Sequence, residues 1–132
     1  MLLLLEDDHV LRETLTDFLS EQYEVVAAPN GTVGVMLLER FGNAICGILT
    51  DYEMPMMNGI EFLRFARSKG FMMPALVMTG KDLSQDEMNE VLLLTGCQPL
   101  LKPIDFDTIL AEVQQRLSLP SSGYSEGSSP AL

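Results

Sequence analysis

The sequence has 132 residues, 47% of them hydrophobic, which suits a single domain with one buried core. Its formal net charge of −11 at pH 7 would repel a polyphosphate backbone, so we expect no direct nucleic-acid binding by this chain. Two cysteines are too few for a disulfide scaffold, and no apolar run approaches the ~20 residues that span a bilayer, so we expect buried free thiols, no membrane segment and a cytoplasmic location.

Short apolar runs alternate with helical patterns from the start of the chain. The run LLLLE (residues 2–6) predicts a strand, and leucines at helical spacing predict a helix over residues 8–22 with Asp8 as its N-cap. A second strand, YEVVAA (residues 23–28), ends at the turn signal PNG, and an apolar stripe over residues 31–41 predicts the second helix.

The alternation continues through the middle of the chain. AICGILT (residues 44–50) is apolar throughout, as strands covered on both faces tend to be. GIEFLRFARSKG (residues 59–70) predicts a helix with a basic last turn, and PALVMTG (residues 74–80) predicts the fourth strand. SQDE (residues 84–87) is a capping box that opens the next helix.

The last strand–helix unit has the weakest pattern. QPLL (residues 98–101) predicts a short fifth strand, and a helix follows over residues 105–119. Ser, Gly and Pro dominate from residue 120 onward, so we expect a disordered tail or a truncated linker over residues 120–132. Five strand–helix repeats predict one α/β domain over residues 1–119, in which helices cover both faces of a parallel sheet.

The polar side chains of interest fall at the carboxyl ends of the predicted strands. In open parallel sheets ligands bind beyond these ends, where the strand order reverses. The residues at these ends are Glu6, Asp7, Asp8, Asp51, Thr79 and Lys102. We therefore expect a single site at this edge of the sheet, with Asp8 serving as a helix cap rather than as a metal ligand.

These residue types suit phosphoryl transfer. Crowded carboxylates repel one another unless they share a cation, and Mg²⁺ prefers oxygen ligands. Asp51 can then act as a nucleophile toward phosphorus, while Lys102 supplies a positive charge and Thr79 a hydroxyl for the phosphoryl oxygens. The sequence contains no GxxxxGK[ST] loop, so we expect no nucleotide site of that type.

Four short motifs carry these residues, in the order LLLLEDD, TDYEMPMMNG, ALVMTG and LLKP. Together they resemble the receiver domain of two-component response regulators, over residues 1 to about 119. In that family the motifs hold, respectively, the acidic pair, the phosphoacceptor, the switch threonine and the site lysine. The resemblance implies a flavodoxin-like fold with five parallel strands in the order 2-1-3-4-5.

The resemblance also implies how the acidic residues work. Asp51 would accept a phosphoryl group from the phosphohistidine of a sensor histidine kinase or a phosphotransfer protein. Asp7 and Asp51 would ligate Mg²⁺, or Mn²⁺ in its place, together with the backbone carbonyl of Glu53 and a water held by Glu6. The chain would then regulate a partner protein or an output domain, and it would not act as an enzyme.

Further implied roles concern the third and fourth motifs. Lys102 would pair with the phosphoryl oxygens, and the peptide bond before Pro103 would be cis. Thr79 would move to bond the new phosphoryl oxygen and so shift the loop and the helix that follow the fourth strand.

Two features stand apart from this pattern. Pro99 occupies the position three residues before the lysine, where many receivers have Tyr or Phe, and proline offers no side-chain rotation to couple to Thr79. Glu53 and Lys81 flank the site, and we hypothesise that this oppositely charged pair forms a lid that slows hydrolysis of the phosphoryl group.

Two other functions stay open. An aspartate-nucleophile phosphohydrolase typically carries a second aspartate two residues after the nucleophile, where Glu53 stands here. A pseudo-receiver, meaning an interaction module that is never phosphorylated, is compatible with Pro99. His9 is the only histidine, and we interpret it as a solvated residue of the first helical turn.

The charge pattern of the second half bears on self-association. From Leu83 onward only Lys102 and Arg116 are basic, among many acidic residues. Dimers that pair through ion pairs across the fourth helix, fifth strand and fifth helix need both signs of charge. We therefore expect a monomer, or a dimer through another surface.

Overall fold

A computed structural model of the chain describes residues 1–117 and residue 119. Its five parallel strands form one sheet in the order β2-β1-β3-β4-β5, which confirms the flavodoxin-like prediction. The strands are β1 (Leu2–Leu5), β2 (Val25–Ala28), β3 (Gly47–Asp51), β4 (Ala75–Thr79) and β5 (Leu100–Leu101). The helices are α1 (His9–Ser20), α2 (Gly31–Phe41), α3 (Gly59–Ser68), α4 (Gln85–Thr95) and α5 (Phe106–Arg116).

The four leucines of β1 show how the sheet is covered. Successive side chains of a strand point to opposite faces. Leu3 and Leu5 accordingly pack in a cluster with α2, α3 and α4, while Leu2 and Leu4 pack in a second cluster with α1 and α5. All four leucines are fully buried, which explains why a continuous apolar run forms the central region of the sheet.

Side-chain caps start the helices where the sequence places suitable residues. Asp8 accepts a hydrogen bond from the backbone of α1, as predicted, and Ser84 forms the predicted capping box with Glu87 at the start of α4. A second capping box, which the sequence analysis did not identify, joins Asn58 to Glu61 at the start of α3. The start of α3 follows directly on the loop after Asp51.

Several predicted boundaries were wrong by a few residues. β3 begins at Gly47 rather than at residue 44, because residues 42–44 form a 3₁₀ turn. β5 has only two residues, and α5 ends at Arg116 rather than at residue 119. The predicted tail over residues 120–132 lies outside the described residues.

The structure confirms one of the two expectations about the cysteines. Cys46 and Cys97 are free thiols, as predicted, but both are partly exposed rather than buried because they lie where loops join the sheet. Among residues 1–117, no helix is both long enough and apolar enough to pass through a bilayer.

Candidate functional site

The carboxyl ends of β3, β4 and β5 lie side by side. The backbone N–H of Tyr52, just after β3, donates to the carbonyl of Met78 at 2.7 Å. The N–H of Lys102, just after β5, donates to the carbonyl of Thr79 at 2.8 Å. Since β1 also pairs with β3, all the strand ends that carry the predicted site residues reach the same edge of the sheet.

Three carboxylates converge at this edge. Oxygen atoms of Glu6, Asp7 and Asp51 lie within 4.8 Å of one another. Glu6 is 1% exposed and Asp51 is 6% exposed, whereas Asp7 is exposed. Oxygen donors with this spacing fit a hard divalent cation such as Mg²⁺, which usually takes one or two carboxylates and keeps several waters.

Lys102 pairs with the two buried carboxylates. Its Nζ atom lies 2.9 Å from Oε1 of Glu6 and 3.0 Å from Oδ1 of Asp51. The other carboxylate oxygen of Glu6 accepts a hydrogen bond from the backbone of Asp8 at 3.1 Å. Glu6 is therefore held on both of its oxygens, which offsets the cost of burying its charge. The peptide bond between Lys102 and Pro103 is cis.

Burial changes the acidity of the central residues. It raises the pKa of Asp51 from 3.8 to about 7; the charges of Glu6 and Asp7 act in the same direction, and Lys102 opposes them. Burial alone would lower the pKa of Lys102, but its hydrogen bonds to Glu6 and Asp51 outweigh that effect and raise it. A divalent cation bound beside Asp51 would favour the ionised carboxylate, which is the nucleophilic form.

The hydroxyl of Thr79 is engaged within its own loop. Thr79 is fully buried, and its Oγ1 donates to the carbonyl of Lys81 at 3.3 Å and accepts from the N–H of Lys81 at 3.2 Å. Because a hydroxyl has a single proton, a new bond donated by Thr79 would have to replace the one it donates to the carbonyl of Lys81. Thr79 is therefore placed to couple a change at the site to the backbone of the β4–α4 loop.

Lys81 joins the two loops that flank the site. Its Nζ atom lies 3.6 Å from Oε2 of Glu53 and 3.2 Å from Oε2 of Glu87. It also lies 5.4 Å from the ring centroid of Tyr52, whose hydroxyl donates to Glu87 at 3.3 Å. The contact of Lys81 with Glu53 agrees with the pair expected from the sequence. The contacts with Tyr52 and Glu87 were not predicted, because these two residues are 35 positions apart and no local pattern links them.

Gly59 sets how closely α3 approaches the end of β3. Its N–H donates to the carbonyl of Tyr52 at 3.0 Å. A Cβ atom added at Gly59 would lie 2.1 Å from the carbonyl oxygen of Asp51, so only glycine fits here. The turn after Asp51 is thereby held against the start of α3.

The other residues that the sequence singled out make local contacts outside the acidic cluster. Asp8 caps α1 through a 2.9 Å hydrogen bond from the N–H of Leu11. His9 is exposed in the first turn of α1 and contacts Arg12 and Glu13, consistent with a solvated surface residue. Pro99 is partly buried and directly precedes β5.

A family model described as the response regulator receiver domain matches residues 2–114. The chain belongs to this family. Among its relatives, the transcriptional regulatory protein CiaR of Streptococcus pneumoniae is 32% identical over 116 residues, which cover 88% of this chain and 50% of that protein. The two-component response regulator PhoP of Pseudomonas aeruginosa is 31% identical over 124 residues, which cover 93% of this chain and 53% of that protein. This receiver chain thus spans about half the length of the curated relatives it matches.

Solved receiver structures have the same architecture. A response regulator receiver protein from Pseudomonas putida superposes with a TM-score of 0.75 at 26% identity, covering 87% of this chain and 95% of that one. A CheY-like receiver domain from Methanospirillum hungatei superposes with a TM-score of 0.78 at 24% identity, covering 89% of this chain and 92% of that one. The predicted membership of the receiver family is confirmed.

Proposed function

We propose that residues 1–119 form a cytoplasmic receiver domain that accepts a phosphoryl group on Asp51. The domain then changes conformation and regulates a partner protein or an output domain. The observation that carries the proposal is the 3.0 Å contact between Lys102 and Asp51, within a group of three converging carboxylates. Membership of the receiver family supports a phosphohistidine of a sensor histidine kinase or a phosphotransfer protein as the donor.

The proposed step is an in-line transfer between two protein side chains. An ionised oxygen of Asp51 attacks the phosphorus, an O–P bond forms and the N–P bond of the phosphohistidine breaks. The imidazole leaves with the bonding electron pair and is neutral when its other nitrogen carries a proton. Lys102 offsets the charge of the transferred phosphoryl oxygens as a positive point charge.

A divalent cation, Mg²⁺ or Mn²⁺, completes the proposed site. The carboxylates of Asp7 and Asp51 and the backbone carbonyl of Glu53 would hold it, and Glu6 would hold one of its waters. When bound, the cation offsets the negative charge that the carboxylates and the incoming phosphoryl oxygens bring together. The spacing of the three carboxylates supports this assignment.

We propose that Thr79 couples phosphorylation of Asp51 to a conformational change in the rest of the domain. Its hydroxyl would donate its proton to a phosphoryl oxygen instead of to the carbonyl of Lys81. Because Pro99 offers no rotating side chain, the change would pass through the backbone of residues 80–84 to the start of α4. This is a shift between two packings that is biased by a local change of charge.

Intact mass separates this function from the alternatives. The protein is incubated with acetyl phosphate and Mg²⁺, with and without the substitution Asp51→Asn. A gain of one phosphoryl group that requires both Asp51 and Mg²⁺ is the expected result. No gain would favour a pseudo-receiver, which Pro99 leaves open, and sustained turnover of phosphate esters would favour a phosphohydrolase.

A further inference from the structure

We infer that Arg12 is a positioning residue for the divalent-cation site, because it holds the backbone that carries Asp7. Arg12 is the fourth residue of α1, and its Nη1 atom donates to the carbonyl of Glu6 at 3.0 Å. The same nitrogen lies 3.5 Å from the carbonyl oxygen of Asp7. The inference rests on the proposed function only in assuming that the acidic cluster binds a divalent cation.

The backbone at this point lies beyond the regular sheet. β1 ends at Leu5, and its pairing with β2 and β3 ends there too. The N–H of Glu6 still bonds to the carbonyl of Ala28, but the carbonyls of Glu6 and Asp7 face the first turns of α1. Arg12 supplies hydrogen-bond donors to these two carbonyls. A side chain of α1 therefore holds the backbone beyond the point where the strand pairing ends.

Asp7 is the member of the cluster that most needs such support. Glu6 and Asp51 are buried and are each paired with Lys102, whereas Asp7 is exposed. The carbonyls of Glu6 and Asp7 belong to the two planar peptide units on either side of the Asp7 Cα atom, so holding both carbonyls restricts the direction in which the Asp7 side chain leaves the backbone. Groups that orient metal ligands in this indirect way commonly affect metal affinity.

Arg12 is itself held in place on α1. Its backbone N–H donates to the carbonyl of Asp8, and its Nη2 atom lies 3.1 Å from Nδ1 of His9. His9 in turn lies 3.4 Å from a carboxylate oxygen of Glu13. The planar guanidinium can contact carbonyls and His9 together, whereas a lysine ammonium is a single point donor on a flexible stem.

Metal titration of two Arg12 variants tests the inference. Mn²⁺ binding is followed by electron paramagnetic resonance, and Mg²⁺ affinity is obtained by competition, in wild type, Arg12→Ala and Arg12→Lys. We expect Kd for Mg²⁺ to rise about tenfold in Arg12→Ala, and nearly as much in Arg12→Lys, in line with the loss of a group that orients a metal ligand. Arg40→Ala is the matched control, since Arg40 is an exposed helical cation whose guanidinium lies over the ring of Phe41.

The variants distinguish positioning from simple charge. Wild-type affinity in Arg12→Lys would show that only the positive charge matters, and wild-type affinity in Arg12→Ala would show no role at all; either result overturns the inference. Urea unfolding without metal checks that each variant is folded. If Arg12→Ala does not fold, Arg12→Lys still tests the inference, because lysine keeps the positive charge and the apolar stem. Failure of the wild type to bind Mn²⁺ would instead overturn the proposed metal site, and the inference with it.

Discussion

The ammonium group of Lys102 lies 3.0 Å from Oδ1 of Asp51, and the same group lies 2.9 Å from Oε1 of Glu6. The single ammonium group of Lys102 therefore pairs with two buried carboxylates. The contact to Glu6 stabilises the folded state, because a buried charge without a partner is costly. The contact to Asp51 places the ammonium group where a phosphoryl group on Asp51 would lie in the proposed function. Lys102 thus contributes to both stability and the proposed function, and the two contributions can be measured separately.

Replacement of Lys102 should destabilise the fold. In Lys102→Met the carboxylate of Glu6 would stay buried without its partner, so we expect a loss of about 3 kcal/mol in the free energy of unfolding. Urea denaturation at neutral pH measures it. Lys69→Met is the control, because Lys69 is exposed, and we expect a change within about 0.5 kcal/mol. A Lys102→Met variant as stable as wild type would contradict the buried ion pair.

Asp51→Asn should stabilise the metal-free protein in a pH-dependent way. Because the pKa of Asp51 is raised from 3.8 to about 7, the folded state keeps a proton that the unfolded state releases across this range. The contribution of Asp51 to the free energy of unfolding should therefore fall as the pH rises from 4 to 7. Asparagine carries no charge, so we expect the variant to be more stable than wild type by about 2 kcal/mol at pH 8, with the gain shrinking toward pH 4.5.

The free energy of unfolding of Asp51→Asn and of wild type is measured at pH 8 and at pH 4.5 by urea denaturation in the presence of a chelator. Lys102 keeps its contact with Glu6 in this variant, so the buried ion pair is not the source of the difference. An equal difference between the two proteins at pH 8 and pH 4.5 would show that Asp51 does not titrate in this range.

The lid hypothesis predicts a shorter lifetime of the phosphorylated form. Lys81 lies 3.6 Å from Glu53 across the site, so replacing both with Ala should open a path for water and shorten the half-life several-fold. Loss of the phosphorylated species is followed by intact mass. Glu39 and Lys69 are exposed residues of the same charges, and their double Ala variant is the control. An unchanged half-life in the Glu53 and Lys81 variant refutes the lid.

Gly59→Ala should disturb the loop that follows Asp51. The added methyl group would lie 2.1 Å from the carbonyl of Asp51, which is backbone and cannot rotate away, so we expect a loss of about 2–3 kcal/mol in stability. Gly80 has no neighbouring atom within 4 Å of the corresponding position, and Gly80→Ala should leave stability nearly unchanged. Thermal unfolding compares the two variants. Equal melting temperatures would mean that α3 can move away from β3 at little cost.

Phosphorylation should not produce a dimer through α4, β5 and α5. The two basic residues between residues 83 and 117 are already paired within the chain, Lys102 in the site and Arg116 with Glu112 on α5. An ion pair with a second copy would therefore have to compete with these contacts within the chain. Sedimentation velocity with and without acetyl phosphate and Mg²⁺ checks this expectation. A phosphorylation-dependent dimer through α4, β5 and α5 would contradict it.

The strand–helix order was predictable because its signals are local. The run of leucines before Glu6, the cap at Asp8 and the capping box at Ser84 depend on residues close together in the chain, and all three were confirmed. The bounds of β3 and β5 were less predictable. Their ends depend on which backbone groups meet a neighbouring strand, and that depends on the whole sheet.

By itself, the sequence determined the alternating elements, the residues at the strand ends and the family, since each follows from spacing along the chain. Only the tertiary structure decided which side chains meet. Lys102 contacts Glu6 across 96 positions, Lys81 lies between Glu53 and Glu87, and Arg12 reaches back to the end of β1. These contacts depend on side-chain directions that are set when the helices pack on the sheet, and no local pattern encodes them.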